Sequence, residues 1–218
     1  MLLPKRSQIS YNPYFLFPFF TWVVAGGLLL VCCNKKELFD MANSHYNEVT
    51  DSFMYYITMM GQAEVIIPVL ALVMLVPAYR NMWYFVTATV SNVIPLLLQQ
   101  LLKSFFDFPR PLKYFHNPSW AHVMPDWPHL YSRSFPSGHS EGAFSFFCFL
   151  SLLLPRRYQP FGLLFFVLGL LVCYSRIYLA AHFFEDVYVG SIIGALITMF
   201  IFTVMNKYKG LFFKQEMA

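Results

Sequence analysis

The chain has 218 residues, of which 58% are hydrophobic and only 12% charged, with 25 Phe and 14 Tyr. A soluble domain carries about 25% charged residues, so this composition excludes one and implies a polytopic membrane protein, a single domain over residues 1–218. The formal net charge of +4 is too small and too scattered for nucleic-acid binding, and it suits charges placed at membrane borders.

Taken in order, the first apolar run is Tyr14–Cys33, preceded by the basic pair Lys5 and Arg6. It is too long for the core of a signal peptide and lacks a clear small-residue cleavage site, so an uncleaved first helix is expected. Five further runs follow: Gln62–Pro77, Trp83–Leu102, Gly138–Leu154, Pro160–Tyr174 and Asp186–Met205. Lipid leaves open backbone groups unsatisfied, so the expected fold is all-α, a bundle of six transmembrane helices. Several runs are nearer 16 residues than the ~20 a span needs, and should extend into their flanks or sit in a thin bilayer.

Between the first two runs, Asn34–Gly61 mixes charges with apolar residues every three or four positions. It reads as an amphipathic segment on the outer surface, with Phe53–Met60 lying flat. Glu64 reads as a helix-start carboxylate ahead of a headgroup contact. His45 receives no functional reading. In the third run, Asn92, Gln99 and Lys103 share one helical face, with Pro95 among them. Such polar groups face the bundle interior or a wet cavity. Helix–helix hydrogen bonds and cavity lining both remain open for Asn92 and Gln99.

The loop Ser104–Ser137 holds His116, His122 and His129 among Tyr114, Phe115, Trp120, Trp127 and Tyr131. Spacings of six and seven fit no helix-borne metal motif, so an interfacial aromatic belt is expected. Cys32, Cys33, Cys148 and Cys173 lie in or beside apolar runs without zinc-type spacing and read as lipid-buried thiols.

Three segments carry chemistry. Lys103 and Arg110-Pro111 close the third run. Pro136-Ser137-Gly138-His139 opens the fourth, with Ser137 a natural N-cap and Gly138 letting a phosphate approach the N–H groups of a helix start. Ser175-Arg176, then His182 and Asp186, join the last two runs. His182 and Asp186 are four apart, within side-chain reach on a helix, as an orienting carboxylate and a base or nucleophile would be. Glu185, at i+3, competes as orienter. If His182 begins a helix, the helix dipole disfavours its imidazolium while Asp186 favours it. Three cations, neutral donors and two histidines make a phosphate cradle, since phosphoryl transfer chiefly needs positioning and charge stabilisation.

In this order, K-x6-RP, PSGH and SR-x5-H-x3-D resemble the three signature motifs of the type 2 phosphatidic acid phosphatase superfamily, which also holds bacterial acid phosphatases and vanadium haloperoxidases. The motif zone runs from Lys103 to Asp186, and the six-run plan resembles the membrane branch of that family. The resemblance implies that His182 attacks phosphorus to form a phosphohistidine and that Asp186 orients it. His139 would protonate the leaving oxygen and then activate water. Lys103, Arg110, Ser137, Gly138 and Arg176 would bind phosphate. It implies no metal and no other cofactor. Ser175, Pro111 and Pro136 would be structural.

Orientation follows once chemistry has claimed its residues. With six spans, one side holds eight basic residues: Lys5, Arg6, Arg80, Arg156, Arg157, Lys207, Lys209 and Lys214. The other holds seven, and setting aside Lys103, Arg110 and Arg176 leaves four: Lys35, Lys36, Lys113 and Arg133. The excess puts both termini in the cytoplasm and the site outside.

The expected function is therefore a metal-independent lipid phosphatase of the bacterial inner membrane, its site facing the periplasm or exterior. Its expected partners are a lipid phosphate and the bilayer, with no nucleic acid and no obligate protein. Undecaprenyl pyrophosphate is favoured as substrate at family level. Lipid A 1-phosphate follows, then phosphatidylglycerol phosphate and phosphatidic acid. A haloperoxidase is disfavoured by the membrane runs and by His139. A non-catalytic lipid-binding or transport protein is disfavoured by intact His139, His182 and Asp186.

Overall fold

The computed structural model describes residues 11–125 and 127–213, and every regular element among them is helical. Asparagines begin the first three helices. Asn12 accepts from the Tyr14 N–H at 3.0 Å ahead of α1, Pro13–Cys32. Asn34 and Glu37 form a capping box on α2, Lys35–Asn43, and Asn47 with Thr50 another on α3, Glu48–Met59. The segment expected to be amphipathic is thus two short capped helices. α3 runs through a break into α4, Ala63–Leu75, at 57°.

α5, Met82–Phe106, ends where Asp107 takes left-handed backbone at φ 39°, two residues before Pro109. The short α6, Pro111–Tyr114, then turns the chain toward the site. The remaining helices are α7, Gly138–Leu153; α8, Phe161–Tyr178; α9, Phe184–Lys207; and α10, Lys209–Phe213.

Among the described residues, α1, the α5–α6 unit, α8 and α9 are long and apolar enough to cross a membrane, and α3 with α4 makes a fifth if the bent pair counts as one. The fourth expected span, α7, has 16 residues, about 24 Å of helix against a hydrocarbon core of about 30 Å. The reason is its position. α7 is buried on nearly all sides, from Ala143 and Phe144 through Phe149, and packs against protein more than lipid. On the outside of the bundle, Phe17, Val31 and Phe105 are 76%, 85% and 80% exposed, as lipid-facing side chains are.

The most extensive helix pair is α7 with α9. Gly190 and Gly194, one turn apart on α9, permit it. A Cβ at Gly190 would stand 2.5 Å from the Ser137 carbonyl oxygen, and one at Gly194 2.3 Å from that of Glu141. Small residues let membrane helices approach to backbone contact. Phe15 and Phe19 of α1, Phe144 of α7 and Phe166 of α8 interlock around the centre, mostly edge to face. The thiols divide: Cys148 and Cys173 are buried, Cys33 is partly covered and Cys32 is exposed.

Candidate active site

The three motif segments meet at one end of the bundle. The start of α7 is tied to the start of α9 by the Ser137 N–H, which donates to the Asp186 carbonyl at 3.0 Å. Gln99 of α5, wholly buried, donates from Nε2 to the Pro136 carbonyl at 3.3 Å. The space a side chain would fill at Gly138 is taken by that same amide, 3.2 Å from a built Cβ. Gln99 therefore bonds to the segment that leads into α7, whereas Asn92 bonds back to Ala88 of its own helix. Ser137 caps α7 as its sequence suggests, accepting from the Ser140 N–H and hydroxyl at 3.4 and 3.0 Å.

His182 lies in the turn before α9, 1% exposed. Its Nδ1 faces Asp186 Oδ2 at 3.4 Å, and Ser134 Oγ stands at the same distance from Nδ1 while donating to that carboxylate. The Phe183 N–H also donates to Asp186 Oδ2, at 2.9 Å. On the other side of the ring, Arg110 Nη1 approaches Nε2 at 3.2 Å and donates to the Ala181 carbonyl at 2.9 Å, while its Nε donates to the Ser132 carbonyl at 2.8 Å. Burial first, then Arg110, Arg176 and Lys103, hold His182 well below the ordinary imidazole range. Desolvation and these cations act together against the imidazolium that Asp186 favours, and a ring with its proton on Nδ1, facing Asp186, keeps a lone pair at Nε2.

Arg176, 2% exposed, donates from Nη1 to Thr58 Oγ1 at 2.8 Å and lies 5.3 Å from the Trp127 ring centre. Its buried Nε has no partner among the described residues. Lys103 shares its electrostatic surroundings with Arg110, Arg133, Arg176 and Asp186. His139 sits in the first turn of α7, its Nε2 3.1 Å from Gln62 Nε2. All eight expected site residues therefore converge.

Several neighbours carry no motif. Ser134 bridges the His–Asp pair, and Thr58, Gln62 and Trp127 arrive from other segments. Ser134 adjoins a motif and could have been suspected on that ground; the others leave no periodicity to read. Glu185 pairs with Lys35 rather than with His182. Glu64 is exposed in the first turn of α4. In the aromatic loop, Tyr114, Trp120 and Tyr131 are exposed, and the loop also packs inward. Tyr114 and Phe115 pack on Phe183 beside the nucleophile candidate, Phe115 and Trp120 on Phe39, and Trp127 on Tyr55. His122 is bound to Asp51 at 2.8 Å and stacked on Tyr46 at 3.9 Å.

The sequence profile of the PAP2 superfamily matches residues 81–209. Undecaprenyl-diphosphatase BcrC of Bacillus subtilis is 30% identical over 160 residues, 73% of this chain and 76% of that protein. An undecaprenyl-diphosphatase of Sulfolobus acidocaldarius is 30% identical over 166 residues, 74% of each. The crystal structure of Aquifex aeolicus LpxE superposes with a TM-score of 0.59 at 26% identity, covering 78% of this chain and 94% of that one. Three motifs in order, a helical bundle that gathers them and these matches lead to one conclusion: the chain belongs to the PAP2 superfamily, among its phosphatases.

Proposed function

We propose that the protein hydrolyses a lipid phosphate at the outer face of a bacterial inner membrane, with undecaprenyl diphosphate as its substrate. The observation that carries the chemistry is the approach of Arg110 Nη1 to His182 Nε2, 3.2 Å apart, in a ring whose other nitrogen faces Asp186. A phosphate drawn to that guanidinium meets the nucleophilic lone pair at the same point. The similarity to undecaprenyl-diphosphatases along about three quarters of the chain supports the choice of lipid.

His182 Nε2 attacks the terminal phosphorus, forming an N–P bond as the P–O bond to the lipid phosphate breaks. His139 gives its proton to the departing oxygen. Water then attacks the phosphohistidine, His139 takes up a water proton, the N–P bond breaks and inorganic phosphate leaves. Asp186 and Ser134 fix the ring. Lys103, Arg110 and Arg176 stabilise the charge on the transferring oxygens, and the unpartnered Arg176 Nε is a buried donor that a phosphate oxygen satisfies. Ser137 and the N–H groups at Gly138 complete the cradle. The proposed topology has six crossings, with α3–α4 as one bent span and α7 as the short central one.

The test is phosphate release from detergent-solubilised protein across a panel of lipid phosphates, together with trapping of an acid-labile, base-stable phosphoprotein. Undecaprenyl diphosphate should give the highest kcat/KM. The label should vanish in His182→Ala and persist in His139→Ala with a substrate bearing a very good leaving group. Label that survives in His182→Ala, or maps to His139, would reverse the two roles.

A further inference from the structure

The break between α3 and α4 touches the site twice, although it lies outside the family-matched residues 81–209. Thr58, at its upstream edge, accepts from Arg176. Gln62, at its downstream edge, is the N-cap of α4 with extended backbone at φ −102° and ψ 150°, yet its side chain caps nothing. Gln is not among the residues that cap well. The amide instead reaches His139 Nε2 at 3.1 Å. Backbone packing fixes its place. A Cβ at Gly61 would stand 2.5 Å from the His139 carbonyl oxygen, and one at Gly142 3.0 Å from that of Gly61, so the break lies directly on the first turn of α7.

We infer that Gln62 is a positioning residue that sets which ring nitrogen of His139 carries the proton, an assignment of function that rests on the lipid-phosphatase reading above. A carboxamide presents an N–H donor and a carbonyl acceptor side by side. Turned with its carbonyl to the ring, it accepts from Nε2–H whether the ring is charged or neutral, leaving Nδ1 to give its proton as acid and to take one up as base. Turned with its N–H to the ring, it would hold the proton on Nδ1 and leave no free lone pair for the base step. The groups that act most strongly on His139 are Arg176 of α8, His182 before α9, Lys103 of α5 and Arg110 at the start of α6. The Asp186 carboxylate stands behind His182, and Glu141 follows on α7. A neutral amide leaves the balance among them undisturbed, whereas a carboxylate at position 62 would favour imidazolium.

The test compares Gln62→Leu and Gln62→Glu with the parent protein in detergent. Gln62→Leu should lower kcat about tenfold or more with KM little changed, the signature of a group acting through an acid–base residue. Gln62→Glu should move the His139 limb of the kcat–pH profile upward by about one unit. Ring 15N shifts of histidine-labelled protein, with His139 assigned by difference from His139→Asn, should show a single tautomer in the parent and a mixture in Gln62→Leu. Thermal melts identify a variant that fails to fold, and the near-isosteric Gln62→Glu then decides. Superposable profiles in both folded variants, or an unchanged tautomer in Gln62→Leu, would overturn the inference. Absence of phosphate release by the parent from every lipid phosphate would instead overturn the functional reading, with the 15N spectra still deciding whether Gln62 holds the ring.

Discussion

At the scale of single residues, Ser134 supports the proposed nucleophile. It donates to the Asp186 carboxylate and stands beside His182 Nδ1, all three buried. A hydrogen bond to a charged group contributes about 1.5–3 kcal/mol. Ser134→Ala should therefore cost activity by about that much in transition-state stabilisation, with Asp186→Asn costing more because it removes the charge itself. Steady-state kinetics of both variants, with circular dichroism to confirm the fold, would check this; an unaffected Ser134→Ala would deny the serine its part. Proton linkage gives a second expectation. His182 is held below its ordinary range, so below pH of about 6.5 the unfolded chain binds a proton there that the folded chain does not. Its contribution to stability is present above that pH and is lost as pH falls. Melting temperature should drop between pH 7 and pH 5, and less so in His182→Gln; equal slopes would remove His182 as the cause. The same depression would keep the proposed nucleophile neutral on mild acidification. Of these residues, His182, Asp186, Lys103 and Arg176 were legible because fixed spacings announce them. The protonation state of His182 was not, because it depends on burial and on cations from three other segments.

At the scale of elements, the crossing of α7 and α9 sets the distance between the two histidine-bearing segments. Gly190 and Gly194 face carbonyl oxygens that cannot retreat, since each is already part of helix α7 or its cap. Gly194→Ala should destabilise the protein by about 1–3 kcal/mol, the cost of forcing a methyl group into a filled interface. It should also lower activity by pulling Ser137 away from Asp186. Thermal unfolding in detergent would measure the first effect, and a variant as stable as its parent would show that the helices can slide apart. Hydropathy located five of the six expected runs as long helices or a bent pair, because lipid-facing residues such as Phe17 and Val31 make the runs long. The sixth, α7, at 16 residues, is not separated by composition from a buried core helix, because composition reads apolar surroundings alike, whether they are lipid or protein. The boundary between Phe53–Met60 and the run that starts at Gln62 falls at the break, whereas the joining of α3 and α4 across it at 57° leaves no mark in apolar content.

At the scale of the whole molecule, the basic residues divide between the two ends of the bundle. Arg80, Arg156, Arg157, Lys207 and Lys209 lie in turns or a terminal helix away from the site, whereas Lys103, Arg110 and Arg176 are drawn into it. Lys5, Arg6 and Lys214, which also weigh in the orientation, lie outside the described residues. In the proposed topology, with site cations excluded, the excess would put the Arg156–Arg157 turn in the cytoplasm and the aromatic loop outside. Reporter fusions after Arg157 and within Lys113–Tyr131 should report opposite sides in that sense; an external Arg157 fusion would invert the protein and put its substrate in the inner leaflet. The break between α3 and α4 bears on how such enzymes are recombined. Residues 81–209 hold every motif, yet a chimera carrying only that segment leaves behind the threonine that steadies Arg176 and the amide that contacts His139. Such a graft inherits a reaction centre without its scaffold, so the transferable unit begins no later than Asn47, the cap of α3.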